Sequence, residues 1–103
     1  MLDLKPEHIT RLDNLARRAI ELWGVDAQID MAREETTEFL LELARIPRGR
    51  HSDENILEEA VDTYIMMTEI FLIYGPEKVN AMMEKKLSKF QSHLEKSEQK
   101  DAA

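Results

Sequence analysis

Four stretches of helical periodicity, separated by Gly24, by Pro47 and by the Gly75-Pro76 pair, limit what this chain can fold into. Behind Pro6, the apolar residues Ile9, Leu12, Leu15, Ala16, Ala19, Ile20 and Trp23 recur at three- and four-residue steps, predicting a helix over roughly residues 5–23. Asp26 is placed to cap a second helix, in which Ile29, Ala32, Thr36, Phe39, Leu40 and Leu43 form one arc until Pro47 stops it. PRGRHS, residues 47–52, reads as a loop. Ser52 or Asp53 caps a third helix that ends at Gly75-Pro76. Pro76 opens a fourth, with an apolar stripe of Val79, Met83, Leu87, Phe90 and Leu94. No segment shows the two-residue alternation of a strand. The expected fold is all-α: a four-helix bundle forming a single domain over residues 1–96, followed by a frayed tail at 97–103 that carries nothing to bury.

A chain of 103 residues can build one core, burying roughly 65% of its unfolded surface. The absence of cysteine excludes disulfides, thiolate metal sites and cysteine nucleophiles. The N-terminal MLDLKPEH lacks the pattern of a signal peptide, and the longest uncharged runs are too short to cross a bilayer. The expectation is a cytoplasmic protein without a membrane partner. A formal net charge of -7 opposes binding to a nucleic-acid polymer through counterion release, yet leaves small phosphorylated ligands open if a cation mediates.

The third helix is apolar on two sides. At 100° per residue, Ile56, Ala60, Met67, Ile70, Phe71 and Tyr74 share one side, and Val61, Ile65 and Leu72 lie nearly opposite. Such a helix needs two partners. In so short a chain the second is expected to be another copy, giving a homodimer or homotetramer; a helix central within a compact monomer is the alternative.

Acidic residues interrupt this apolar pattern. EETTEFLLE, residues 34–42, places Glu35 and Glu38 three apart, and EEAVDTYIMM, residues 58–67, does the same with Glu59 and Asp62. Residues three apart lie on neighbouring turns of one helix face, so each pair can aim two carboxylates at one point. Spacing alone is weak, since Glu95/Glu98 and Glu98/Asp101 in the tail share it. Position distinguishes the two central pairs: Glu35 borders the apolar arc of helix two, and Glu59 falls between Met66 and Ile70 inside apolar surface. The intervening loop lets the two helices return antiparallel, with the pairs face to face. Four carboxylates so placed repel, which protonation relieves in part and a divalent cation relieves more fully. An all-oxygen set suits Mg²⁺ or Mn²⁺. The other reading is of solvated acids offset by Arg33, Arg45 and Arg48. Iron is disfavoured, because the residues three before His8, His51 and His93 are Lys5, Arg48 and Phe90, so the Glu-x-x-His element of di-iron bundles is missing.

The ordered set of EExxE, a loop, EExxD and a basic amphipathic helix resembles the MazG-like all-alpha nucleoside triphosphate pyrophosphohydrolases. The similarity covers roughly residues 15–95: WGVDAQIDMAREETTEFLLEL (23–43) resembles the segment entering and crossing that family's first acidic helix, EEAVDTYIMM its second, and MEKKLSKFQSHL (83–94) its Lys-rich closing helix. The resemblance implies a Mg²⁺-dependent enzyme, with Mn²⁺ as an alternative, that cuts a nucleoside triphosphate substrate between the α and β phosphates to the monophosphate and pyrophosphate. It implies Glu35, Glu38, Glu59 and Asp62 as metal ligands. Glu38 belongs with the catalytic residues, and Glu34 or Glu35 would accept the proton of the attacking water.

Lys86 falls on the apolar side of helix four between Val79 and Met82, where it either reaches a phosphate or snorkels to solvent. Lys89, and Arg48 and Arg50 in the loop, are weaker phosphate candidates. For the base, Trp23 or Tyr64 offers a stacking face and Gln28 an amide, although core packing is the favoured role of Trp23. Thr63, Met66 and the Lys89-Phe90 pair depart from what some relatives carry, which leaves base preference open. Two rival readings keep the helices and drop the chemistry: a metal- or nucleotide-binding module, and a non-catalytic helical oligomer.

Overall fold

A computed structural model describes residues 2–102. Helix takes up 89% of the described residues, and none of them is in a strand. Its elements are α1 (Pro6–Trp23), α2 (Val25–Ala44), a 3-10 turn (Ile46–Arg48), α3 (Asp53–Tyr74) and α4 (Pro76–Ala102). Among the described residues no helix is long and apolar enough to cross a membrane.

The joints follow from single residues. Gly24, at φ 89°, ends α1 by donating its N–H to the Ile20 carbonyl at 2.9 Å, and its own carbonyl accepts from Gln28 N–H at 3.2 Å to begin α2. One residue closes one helix and opens the next, so Asp26, the expected cap, lies instead in the first turn of α2. Pro47 does not simply stop α2: the chain tightens at Arg45 and passes into the 3-10 turn, which takes up the start of the expected loop. At α3 the Ser52 hydroxyl accepts from Asn55 N–H at 3.3 Å, which makes Ser52 rather than Asp53 the cap. Gly75, at φ 97°, separates α3 from α4. The α4 helix continues to Ala102, through the segment from 97 onward for which the sequence offers no apolar anchor.

The described residues form two compact units, one ending at Ile73 and the other beginning at Tyr74. In the first, α1 packs against α2. Ala16 on α1, Ala32 on α2 and Met66 on α3 are the buried apolar residues among those described, two of them small enough to bring helix backbones close. The inner line of α3 is mostly acidic: Glu59, Asp62, Met66 and Glu69, at steps of three, four and three, are all buried or half-buried. The expected apolar side of α3 is less covered, with Phe71 44% and Tyr74 61% exposed. The second unit is α4, whose stripe residues Met83, Leu87, Phe90 and Leu94 are exposed and whose Val79 is half-buried.

Candidate metal centre and adjoining cavity

In the first unit α2 and α3 bring acids together. Oxygens of Glu35, Glu38 and Glu59 lie within 4.8 Å of one another. Glu35 and Glu59 are half-buried, and each keeps one buried oxygen, Oε2, without a hydrogen-bond partner; Glu38 closes the group from the exposed side. Asp62 falls outside this mutual reach but stands beside Glu35 on the facing helix, close enough for its charge to act on the Glu35 carboxyl. Glu34, one residue earlier on α2, points to solvent.

Burial pushes the Glu35 carboxyl above its ordinary value of 4.5, and the charges of Asp62, Glu38 and Glu59 and the hydrogen bond to Asp62 push it further. Glu59 is raised likewise, by burial first and then by Glu38, Asp62, Glu58 and Glu42. Of the arginines proposed as counterweights, Arg33 pairs with Asp30 at 2.8 Å and Arg45 with Glu42 at 2.9 Å, while Arg48 forms no ion pair among the described residues. Among the described residues no lysine or arginine forms an ion pair with Glu35, Glu38, Glu59 or Asp62. The group can therefore lower its own repulsion by taking up protons or a cation.

A cavity of about 630 Å³ opens beside it, walled by α1, α2 and α3. Glu35 and Asp62 form part of the wall, Leu12, Leu15 and Met66 supply apolar surface, and Trp23 stands at the margin. Trp23 is 60% exposed, which corrects the expectation that it packs in the core: the sharp turn at Gly24 holds it at the end of α1. Gln28 lines the same cavity at 2% exposure. Its amide nitrogen faces the Glu69 carboxylate, since its oxygen there would meet only acceptors, and donates at 2.6 Å and 3.1 Å to the two carboxylate oxygens. Glu69 is itself 3% exposed, and burial raises its pKa.

Tyr64 is exposed and is not among the residues lining the cavity. Lys86 and Lys89 are exposed residues of α4, in the second unit, and Arg48 and Arg50 are exposed near the 3-10 turn. Glu69 is the site residue that the sequence does not announce. Its one signal is an acid standing in the apolar run IMMTEIFLIY of α3. Comparison with protein-family models, with curated proteins and with solved structures yields no match to this chain.

Proposed function

We propose that the acids of α2 and α3 form the metal centre of a nucleoside triphosphate pyrophosphohydrolase of the MazG-like type, releasing a monophosphate and pyrophosphate. The observation that carries this reading is the convergence of Glu35, Glu38 and Glu59 from two helices to within 4.8 Å, with unpartnered buried oxygens on Glu35 and Glu59. Orphaned carboxylate oxygens are costly unless something compensates them, and a hard, all-oxygen donor set fits Mg²⁺ or Mn²⁺. When bound, such a cation supplies neutralisation of phosphate charge and acidification of a water molecule.

The chain's own residues divide the remaining work. Glu35, Glu38 and Glu59 hold the ion, with Asp62 flanking Glu35. Either Glu34 or Glu35 accepts the water's proton. The apolar cavity shields one end of the substrate from solvent, with Trp23 at its margin. The same reading includes assembly as a homodimer or homotetramer.

The test is pyrophosphate release from a panel of ribo- and deoxyribonucleoside triphosphates with Mg²⁺ or Mn²⁺. Turnover of at least one is expected, with Glu38→Gln and Glu59→Gln each lowering kcat/KM by about a hundredfold or more. No pyrophosphate from any nucleotide with either metal would defeat the proposal. Melting curves give a second check: Mg²⁺ or Mn²⁺ should raise Tm where Ca²⁺ and Na⁺ do not.

A further inference from the structure

A buried glutamine hydrogen-bonded to a buried glutamate is an expensive way to fill space in a chain with so little buried apolar surface. Two apolar side chains of like volume would serve packing as well or better. Both residues line the cavity, whose volume of about 630 Å³ lies in the range of small-molecule sites, roughly 300–1,000 Å³. On α2, Gln28 and Glu35 are two helical turns apart, and on α3 so are Glu69 and Asp62. At 1.5 Å per residue this separates the Gln28–Glu69 pair from the acidic group by about 10 Å along each helix. The cavity therefore has Glu35 and Asp62, at the edge of the acidic group, at one end and a fixed polar pair at the other, with Arg18 and mostly apolar residues making up the rest of its wall. That is the layout needed by a molecule with a phosphorylated end, a sugar-length spacer and a flat polar head.

The pair also restricts which head fits. The amide N–H of Gln28 is spent on Glu69. The Glu69 carboxylate has about four lone-pair sites, of which the amide uses two, so what it presents to a ligand is mainly acceptor capacity. An exocyclic amine can donate to it whether or not the carboxyl carries a proton. Uracil and thymine instead present two carbonyl oxygens flanking a single N–H, and a carboxylate repels both. A site whose buried polar groups are left unpaired by the wrong ligand discriminates strongly.

We infer that this cavity is the base pocket of the proposed nucleotide site, and that the buried Gln28–Glu69 pair selects bases bearing an amino group over the diketo pyrimidines uracil and thymine. The inference rests on the proposed hydrolase for the identity of the phosphorylated end, but the preference at the polar pair can be tested without turnover.

The experiment compares kcat/KM for CTP, ATP, GTP, UTP and their deoxy counterparts, dTTP included, in the wild-type chain and in Glu69→Gln. The wild type is expected to favour the best amino-bearing base over UTP and dTTP by about tenfold or more, and Glu69→Gln to shrink that gap mainly through KM. A wild type that turns over UTP or dTTP as well as any other nucleotide overturns the inference and leaves the hydrolase reading standing. So does a folded Glu69→Gln that lowers every substrate by the same factor. If Glu69→Gln fails to fold, the wild-type ranking alone decides. If no triphosphate is hydrolysed, the hydrolase reading falls, and nucleoside binding to the wild type decides this inference separately. Amide shifts at Gln28 and Trp23 caused by cytidine or adenosine but not by uridine support it; equal shifts, or none, overturn it.

Discussion

Glu35, Glu59 and Glu69 all hold their protons more tightly than a solvated glutamate, whose ordinary value is 4.5, and burial is the first cause in each. Between 4.5 and each raised value the folded chain binds more protons than the unfolded chain, so these groups make stability fall as pH rises through that window. Their contribution is fully present below 4.5 and lost above the raised values. In chelator, the Tm of the wild type is therefore expected to decline relative to that of Glu59→Gln as pH rises from about 4.5 toward neutrality, because the variant has one carboxyl fewer to ionise. Parallel Tm–pH curves would place the repulsion elsewhere. Mg²⁺ added at neutral pH should lift the wild type more than the variant. The three-residue step of Glu35/Glu38 was readable because helix geometry alone fixes it. So was Glu59, as an acid inside apolar surface. Asp62, on the same step, joins only by flanking Glu35, because sharing a face does not set how far each carboxylate reaches. Glu69 was legible only as an acid inside an apolar run: its partner Gln28 sits on a different helix, and the pairing of the two does not follow from the periodicity of either.

At the scale of elements, the joint between α1 and α2 rests on one backbone conformation. Gly24 has φ 89°, which a side chain disfavours, while a Cβ placed there would meet nothing within 4 Å. The cost of Gly24→Ala is therefore conformational rather than steric, and is expected to be about 1 kcal/mol or somewhat more, measured as a lower urea midpoint at unchanged slope. An unchanged midpoint would mean that the turn relaxes without strain. The punctuation by Gly24, Pro47 and Gly75-Pro76 made the number and order of helices legible. The cap of α2 was not, because Asp26 has the chemistry of a capping residue and loses the position only because Gly24 ends one helix and starts the next without an intervening residue. Ser52 against Asp53 was likewise open until the hydroxyl contact to Asn55 decided it.

For the whole molecule, the apolar surface left outside the first unit's core bears on how many copies assemble. Opposite the inner line of Glu59, Asp62, Met66 and Glu69, the residues Leu57, Val61, Tyr64 and Phe71 recur at steps of four, three and seven, which places them within one stripe of α3. All four are exposed in the single chain, Leu57 at 66%. Sequence periodicity had put apolar residues on two sides of α3, and neither side turns out to be the inner one; the acids are. Monomeric proteins seldom leave a contiguous apolar stripe open to water, since each square ångström removed from it contributes on the order of 25 cal/mol. A second copy supplies the same stripe in isologous register, so the proposed homodimer or homotetramer would bury it against itself. Sedimentation at micromolar concentration is expected to give a mass at least twice the 12.0 kDa of one chain. Leu57→Lys combined with Val61→Lys should shift the wild type toward that single-chain mass while far-ultraviolet circular dichroism stays helical, because like charges would face each other across the twofold axis. A wild type sedimenting at 12.0 kDa, or a double variant that remains assembled, would remove the stripe as the interface and leave its exposure to be explained by another occupant.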